Sequence, residues 1–508
     1  MILTSSIYLT FLIILLFLYY TFPKKIQWLC LFVFSFLFIV TSTSDVKVYA
    51  YIIYGILVTY LGAKFIKMAK TDKSKKIIEV ITIILILLQL IYLKYLNFFG
   101  NTATNILNMF GKNNSLVIIS IVAPIGVSFY TLISLGYVID VARGVVEPQK
   151  NILKYSLYIL YFPQITSGPI TRYSEMENSL FKEHQFKLNN ILFGFQRILW
   201  GIFKKLVISE RVAIITNTIF NNYTDYNGVY ILIGVIAFAI QLYTDFSGCM
   251  DIVIGTSETL DIKLPENFNT PFFSKSISEY WRRWHITLGT WFKDYLFYPI
   301  LKSNLFQNMQ DKLKKKLGKK WGKRIPTYLG MLILWFTVGA WHGGACTYII
   351  GSGLLHWFYI VSGEILNPAF NKLGNFLKVN KERLAYKIWQ MIRTSTLVCI
   401  GFVFFRSESV FQAIYMLRSI FVNNFYKLFM GEIQSLGLNN NDITICLLGT
   451  FTLFIVSLLK QKYEIREEIS KQHIIIRYSI WICLILCILI LGYYGKGYDA
   501  SSFIYQKF

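Results

Sequence analysis

Charged residues are scarce in this sequence: only 15% of its 508 residues are charged, whereas 55% are hydrophobic. A soluble protein of this length would divide into domains with far more polar surface, so the composition excludes an ordinary soluble protein. The apolar residues form blocks of about 20 residues, the length that a helix needs to cross a hydrocarbon layer of about 30 Å. Examples are Ile2–Tyr20, Ile77–Leu96, Leu116–Ile139, Ile443–Leu459 and Ile474–Leu491.

The apolar blocks also lack the alternation of polar and apolar residues that a membrane barrel needs. Backbone polar groups must be paired within the hydrocarbon layer, and a helix pairs them internally. We therefore predict an all-α polytopic membrane protein, with about 11 transmembrane helices plus re-entrant or interfacial helices. We expect one domain over residues 1–508, with peripheral spans in 1–90, a catalytic core in 90–400, and further spans and a tail in 401–508.

Acidic residues are few, 27 against 51 basic residues, which gives a net charge of +24. In a soluble protein this excess would suggest nucleic acid binding. Here the basic residues lie in short loops between apolar blocks, as orientation signals do, and we expect no nucleic acid partner. Placing the basic loops inside predicts that both termini are extracytoplasmic. The first apolar block lacks a cleavage site and is predicted to be a retained span.

The sequence has seven cysteines but no CxxC pair, and Cys483 and Cys487, which would share a helix face, have no acidic residue or histidine nearby to complete a metal site. We interpret these cysteines as small buried hydrophobic residues and predict no metal. Walker, dinucleotide-binding, nucleophile-elbow and zinc-protease motifs are also missing. These absences leave few side chains that could carry chemistry.

Histidine is rare, with five residues in the chain, and His342 stands out. It lies in an apolar unit, Ile325–Pro368, between two basic segments, Lys302–Arg324 and Asn371–Lys387. This unit must enter and leave the membrane, and its bend falls at Trp341-His342-Gly343-Gly344, which puts His342 near the outer interface. An ionisable residue at membrane depth is a functional candidate. The alternative is a neutral imidazole bonded to a carbonyl where the glycine pair breaks the helix.

An imidazole suits acyl transfer, because an alcohol attacks an acyl group only if a base removes its proton during the attack. His356 lies 14 residues later, and a packing role is favoured for it. His184 and His473 lie in polar segments and are interpreted as solvated.

The segment Glu279–Tyr295 combines cations and aromatic residues around His285. On one continuous helix Trp284 and Trp291 would share a face, as would Arg282 and Lys293. Such a helix could hold an anionic, stackable acyl donor. The alternative, an interfacial helix with aromatic anchors and snorkelling arginines, is favoured.

Two acidic residues, Asp245 and Asp251, lie in an apolar stretch interrupted by glycine. They could orient a histidine or cap a re-entrant helix, and capping is favoured. We expect the irregular segments of the middle of the chain to line a cavity rather than to face lipid.

Together these segments resemble the membrane-bound O-acyltransferase family, in its alginate O-acetyltransferase branch. The resemblance covers about residues 90–508, in order, and the tail departs from the branch at Gln506-Lys507, where the branch is more aromatic. The matching segments are Phe162–Tyr173, Tyr243–Asp251 with Leu264–Asn269 and Pro271-Phe272, Tyr280–Tyr295, Trp341–Gly344 with His356, and Ser502–Phe508.

The resemblance implies helices around a central funnel, with His342 as the main catalytic histidine and His285 as the second. It implies acetyl-CoA as a cytoplasmic donor substrate, no bound cofactor, and an extracytoplasmic acceptor in a bacterial cell membrane. The donor would dock near Arg282, Arg283 and Lys293, and a narrow channel would lead its thioester to His342. Trp284, Trp341, His356 and Asp245 are expected to line the passage or orient groups.

The acceptor is expected to be an exported polysaccharide of the alginate, cellulose or peptidoglycan type, modified directly or through a secreted partner transferase. Tyr505 in the tail could carry the acyl group to such a partner, or anchor the tail at the interface. One alternative is D-alanyl transfer to teichoic acid from a carrier protein docked on Lys302–Arg324. A non-enzymatic alternative is a transporter or export channel.

Overall fold

The computed structural model describes residues 2–43, 45–96, 98–100, 104, 123–124, 126–422, 424, 426 and 436–494. These residues are helical apart from their connections, and no β-strand occurs among them. An isolated bridge joins Phe268 and Trp284. The predicted all-α class is therefore confirmed.

The first half of the chain contains eleven described helices. They are α1 (Ser6–Thr21), α2 (Gln27–Ser42), α3 (Val46–Met68), α4 (Asp72–Leu90), α5 (Val127–Ala142), α6 (Ile152–Leu160), α7 (Phe162–Ile165), α8 (Tyr173–Phe181), α9 (Leu188–Ile202), α10 (Glu210–Asn221) and α11 (Val229–Thr259). A π-helical turn, Ile91–Tyr95, extends α4, and another, Phe203–Ser209, joins α9 to α10.

The second half of the chain contains another eleven described helices. They are α12 (Ile277–Arg283), α13 (Ile286–Phe292), α14 (Tyr298–Lys302), α15 (Asn304–His342), α16 (Cys346–Ile349), α17 (Leu355–Phe376), α18 (Leu384–Arg406), α19 (Val410–Ser419), α20 (Asn440–Leu459), α21 (Ile465–Ser470) and α22 (Ile474–Leu491). π-helical turns at Lys293–Phe297 and Ile350–Leu354 join α13 to α14 and α16 to α17.

Eight described helical segments are long and apolar enough to cross a membrane, judged by length and composition. They are Lys24–Ser42, Val46–Met68, Asp72–Tyr95, Val229–Thr259, Cys346–Phe376, Leu384–Arg406, Asn440–Leu459 and Ile474–Leu491. The shorter apolar helices α1 and α5 add to these. The chain is therefore an integral membrane protein, while the count of 11 spans stays a prediction.

The basic segment before the hairpin is helical and belongs to α15. Gly318 interrupts this helix with a φ of 78°, a left-handed conformation that glycine adopts without strain. The helix therefore bends at Gly318, and five of the nine basic residues of Lys302–Arg324 precede this bend.

Helix α11 is the centre of the described bundle. It packs along α9, the π-helical turn Phe203–Ser209 and α10, and most of its residues are buried. Small residues permit this approach, because a Cβ on Gly201 would lie 2.6 Å from the Gly248 carbonyl oxygen. The sequence predicts irregular segments in the middle of the chain, and one of them, Asp245–Pro271, is instead helical in its first half, which continues one 31-residue helix.

Candidate active site

His342 is the last residue of α15, where the helix ends at the predicted bend. Gly343 follows in an extended conformation, and α16 begins at Cys346. The His342 side chain is buried, with 2% exposure, and its ring centroid lies 5.1 Å from that of Trp341 and 5.4 Å from that of Phe405. The sequence therefore located the break in the hairpin correctly.

The two arms of the hairpin are in direct backbone contact. A Cβ on Gly339 would lie 2.7 Å from the Ile349 Cα, and a Cβ on Gly353 would lie 2.5 Å from the Trp335 carbonyl oxygen. A side chain at either glycine would push the arms apart. The position of His342 therefore depends on glycines that are not adjacent to it.

His285 lies at a second helix interruption, between α12 and α13. Its φ is 45°, and its Nδ1 lies 3.2 Å from the Asn267 Oδ1. The same oxygen accepts hydrogen bonds from the Thr287 backbone N–H (3.1 Å) and hydroxyl (3.0 Å). The expectation of one continuous helix over Glu279–Tyr295 is therefore wrong, and Asn267 holds the interruption.

Trp341 connects the two histidines. Its ring centroid lies 6.2 Å from that of His285 and 5.1 Å from that of His342. Phe129 stacks on His285 with centroids 6.4 Å apart and meets Trp341 edge-on at 5.5 Å. The two residues that were predicted to be catalytic therefore share one buried aromatic environment.

A lysine beside His342 was missed by the sequence reasoning. Lys94, in the π-helical turn after α4, donates hydrogen bonds from Nζ to the Trp341 carbonyl oxygen (2.7 Å) and the Ser128 hydroxyl (3.0 Å). The neighbouring Tyr95 hydroxyl donates to the Ala340 carbonyl oxygen at 2.8 Å. A charged residue inside the apolar block Ile77–Leu96 was a signal that could have identified Lys94.

His356 packs among aromatic residues of the interior. Its ring centroid lies 4.9 Å from that of Trp281 and 5.6 Å from that of Trp335. Its Nδ1 has no hydrogen-bond partner among the described residues. These contacts favour the packing role over a part in lining the passage.

The favoured capping role of Asp245 and Asp251 is wrong, because both lie well inside α11. Asp245 forms an ion pair with Lys205 at 2.6 Å, and Asp251 forms ion pairs with Lys204 at 2.5 Å and Arg197 at 3.0 Å. The three basic residues lie on the adjacent α9 and the π-helical turn that follows it, so they compensate the buried carboxylates.

A cavity of about 420 Å³ lies between α9, α11 and the last two spans, α20 and α22. Its lining is amphipathic, because it combines ion-paired residues of α9 and α11 with apolar residues of α20 and α22. The charged lining residues are Arg197, Lys204, Asp251, Glu266, Lys460, Glu464 and Arg466. A ligand with charged and apolar parts fits such a site.

The inner wall of this cavity lies close to His285. Phe268 and Met250 line the cavity, and Phe246 contacts both Phe268 (centroids 4.9 Å apart) and His285 (4.8 Å). The Asn267 amide nitrogen, 3.3 Å from the Met250 sulfur, belongs to the residue that holds His285. About one layer of side chains therefore separates the cavity from His285, and His342 is not among the residues that line it.

The predicted donor-binding residues lie in different surroundings. Arg283 binds Glu279 at 2.8 Å and also contacts Thr270, which lines the cavity. Arg282 and Lys293 are exposed, whereas Trp284 is buried in an aromatic cluster with Phe268 and Tyr280. Of this set, Arg283 lies nearest to the cavity.

The sequence also singled out Tyr505, His473 and His184. Tyr505 lies outside the described residues. His473 is exposed as predicted and caps α22, but the solvated interpretation of His184 is wrong. The His184 ring is buried, and its nitrogens lie 2.8 Å from the Ser179 carbonyl oxygen and 3.3 Å from an Asp261 carboxylate oxygen.

Comparison with known proteins gives consistent matches. Residues 147–310 match the model of the membrane-bound O-acyltransferase family. The probable alginate O-acetylase AlgI of Pseudomonas aeruginosa is 31% identical over 70% of this chain and 61% of its own length. The peptidoglycan O-acetyltransferase of Helicobacter pylori is 27% identical over 59% of this chain and 57% of its own length.

A relative that is named for a different activity also matches. The teichoic acid D-alanyltransferase of Bacillus subtilis is 28% identical over 57% of this chain and 70% of its own length. The matched region spans only about three fifths of the length of the alginate relatives. The similarity therefore identifies the family more firmly than the acceptor.

Proposed function

Because the chain belongs to the membrane-bound O-acyltransferase family, we propose that it transfers an acetyl group from cytoplasmic acetyl-CoA to hydroxyls of an extracytoplasmic polysaccharide. The observation that carries this proposal is the burial of His342 at a helix end, with His285 in contact with the same Trp341 ring. The alginate and peptidoglycan relatives support a polysaccharide acceptor, reached directly or through a partner transferase.

His342 acts as the general base in this proposal. A buried imidazole in an aromatic environment can accept the proton of an attacking hydroxyl as the oxygen approaches the thioester carbon. The leaving thiolate then recovers that proton, so the histidine returns to its starting state. His285, whose ring contacts Asn267, positions the acyl group and the Trp341 ring for the reaction.

The donor enters through the amphipathic cavity. Lys460 and Arg466 suit the phosphates of coenzyme A, and the apolar walls suit its pantetheine arm. Arg283 extends the basic surface near Thr270, whereas Arg282 and Lys293 provide charge at the exposed surface. Because a side-chain layer separates the cavity from His285, the Phe268 or Met250 side chain must move for the thioester to pass.

The orientation that we propose places this cavity on the cytoplasmic side of a bacterial cell membrane. The segment from Lys460 to Lys471 carries basic residues at this end of the bundle and contacts α9 through Arg466, which donates to the Phe193 carbonyl oxygen at 2.8 Å. Basic loops are retained on the cytoplasmic side. Both chain termini are then extracytoplasmic, and Tyr505 would carry the acetyl group onward if a partner transferase completes the reaction.

D-alanyl transfer to teichoic acid is the second candidate, because the Bacillus subtilis relative carries that name. It predicts a carrier protein with an acidic surface, and the segment Lys302–Arg324 offers nine basic residues against one acidic residue. This segment lies on an exposed part of α15. Free coenzyme A does not need a basic docking surface of this kind.

Labelled donors decide between the two candidates. Purified protein in detergent would be supplied with labelled acetyl-CoA or with a D-alanyl carrier thioester, and loss of the thioester and labelling of polysaccharide would be measured. We expect turnover with acetyl-CoA and little with the carrier thioester. The reverse result would replace acetylation by D-alanylation, and no turnover with either donor would favour a transporter or export channel.

The tail is tested separately in cells. If Tyr505 carries the acetyl group, Tyr505→Phe abolishes polymer acetylation while thioester consumption by the purified protein persists. Full polymer acetylation in this variant would leave Tyr505 with no role as an acyl carrier.

A further inference from the structure

Lys94 carries a positive charge into the interior of the protein, next to the end of α15. Its ammonium group lies 2.7 Å from the Trp341 carbonyl oxygen and 5.5 Å from the centroid of the Trp341 ring. The residue after Trp341 is His342. Lys94 therefore connects the span Asp72–Tyr95 to the site of the proposed reaction.

No carboxylate lies within ion-pair distance of Lys94 among the residues that the structure describes. Two fully buried lysines behave differently from the partly buried Lys94, because Lys204 pairs with Asp251 and Lys205 with Asp245. A cation without a counter-ion is expensive at membrane depth, and such residues mark functional sites. Lys94 differs from Lys204 and Lys205 in this respect.

Capping of the helix end does not by itself require a charge. The last carbonyl groups of a helix lack partners within the helix, and the Tyr95 hydroxyl already donates to Ala340 at 2.8 Å. The π-helical turn presents both Lys94 and Tyr95 to the same helix end. A neutral donor at position 94 could satisfy the Trp341 carbonyl as well as the ammonium does, so the charge needs another explanation.

We propose that Lys94 stabilises the oxyanion that forms when the acceptor hydroxyl attacks the thioester beside His342. This inference rests on the proposed acyl transfer. An ammonium group has three N–H donors, and two of them meet Trp341 and Ser128. The third is the donor that the oxyanion would use.

The step balances as follows. The hydroxyl proton moves to His342 while the hydroxyl oxygen forms a bond to the thioester carbon. The electron pair of the C=O double bond moves to its oxygen, and the Lys94 ammonium donates a hydrogen bond to that oxyanion. When the C=O double bond forms again, the C–S bond breaks and the thiolate takes the proton from His342.

Three variants separate charge from capping. Lys94→Gln removes the charge but keeps a hydrogen-bond donor for Trp341, so the fold should persist. Lys94→Arg keeps the charge, and Tyr95→Phe removes the neutral donor to the carbonyl oxygens of Ala340 (2.8 Å) and Trp341 (3.3 Å). The readouts are kcat and donor KM for thioester consumption, with thermal unfolding as the control for folding.

We expect Lys94→Gln to lower kcat by about 10²- to 10³-fold, as the loss of one oxyanion donor does, with donor KM changed less than about threefold. Lys94→Arg should retain at least about ten times the kcat of Lys94→Gln, and Tyr95→Phe should lose less than about fivefold. Equal losses in Lys94→Gln and Tyr95→Phe, or a wild-type kcat in Lys94→Gln, would overturn the proposal.

Assays of the wild-type protein distinguish failure of the Lys94 proposal from failure of the proposed acyl transfer. If folded wild-type protein consumes neither an acetyl nor a D-alanyl thioester, acyl transfer itself is wrong and the role of Lys94 falls with it. If the wild type is active and Lys94→Gln matches it, only the inference about Lys94 is wrong.

Discussion

The two histidines of the site both lie where a helix is interrupted, but different parts of the chain hold them. His285 is held by Asn267, 18 residues earlier, through a network of neutral hydrogen bonds. The end of α15 at His342 is held by Lys94, on a span 247 residues away from Trp341, and by glycine contacts in its own hairpin. A locally fixed imidazole suits orientation, whereas an imidazole beside a partly buried cation suits a step in which charge develops.

The first prediction tests whether Asn267 holds His285 in place. Asn267→Leu removes an oxygen that accepts from the His285 ring and from the Thr287 N–H and hydroxyl, so the two buried Thr287 donors lose this acceptor. We expect a loss of about 3 kcal/mol in unfolding free energy and at least a tenfold fall in kcat, because each orphaned donor costs about 1–3 kcal/mol.

Asn269→Leu is the matched control for Asn267→Leu, because Asn269 is exposed. It should change neither thermal unfolding nor thioester consumption measurably. If both variants behave alike, the Asn267 network does not hold His285.

The second prediction tests the glycine contacts between the two arms of the hairpin that contains His342. Gly339→Ala would bring a Cβ within 2.7 Å of the Ile349 Cα, so the arms must separate. We expect a loss of about 1–3 kcal/mol, as overpacking costs, and reduced kcat because His342 lies one turn further along the helix. Gly363→Ala, in open space on α17, should be neutral or slightly stabilising. Similar unfolding temperatures for the two variants would show that the arms can relax.

The third prediction concerns His356, which lies inside the continuous helical segment Cys346–Phe376 rather than at a helix end. His356 packs between Trp281 and Trp335, and its Nδ1 has no partner among the described residues. We expect His356→Leu to change stability by less than about 1 kcal/mol, because an apolar side chain replaces an unsatisfied polar atom, and kcat by less than about threefold. A loss of activity as large as that of Asn267→Leu would place His356 in the catalytic group.

The smallest effect is expected at His184, a buried histidine outside the spans. Burial lowers the pKa of His184, although Asp261 opposes the shift. Because the folded pKa lies below the unfolded value of about 6.5, unfolding takes up a proton, and stability falls as pH falls through this value. His184→Gln should therefore show a flatter decline in unfolding temperature between pH 7.5 and 5.5. An identical slope in both proteins would contradict this assignment.

Titration of Asp261 also lowers the stability of the protein as pH falls, but at a lower pH than titration of His184. Burial alone would raise the pKa of its carboxyl group, but His184, Lys182 and Lys187 together lower it. Its contribution is present above the unfolded pKa of about 3.9 and is lost as pH falls through the lower folded value. The window chosen for His184→Gln therefore lies above the titration of Asp261.

Composition and apolar block length were sufficient to predict the helical membrane class, because a span has a fixed length. The predicted block Ile474–Leu491 coincides with α22. The break at His342 was also predictable, since a glycine pair follows an apolar helix. Most of what could be predicted from the sequence alone therefore depended on the length of the apolar blocks and on the positions of glycine.

The errors came from interactions between distant residues. The ion pairs of Asp245 and Asp251 depend on lysines 40 or more residues earlier, so capping was the simpler local interpretation. The positive φ of His285 is stabilised by Asn267, and helical periodicity could not show it. Lys94 meets Trp341 only after the chain has folded.

The central claim is that His342 accepts the hydroxyl proton, and one measurement tests it most directly. The wild-type protein and His342→Ala would be reconstituted in vesicles with labelled acetyl-CoA on the cavity side and polysaccharide on the other side, after thermal unfolding has shown that both are folded. We predict labelled polysaccharide with the wild type and at least a hundredfold less with His342→Ala, as loss of a general base implies. Near-normal transfer by His342→Ala would contradict the account.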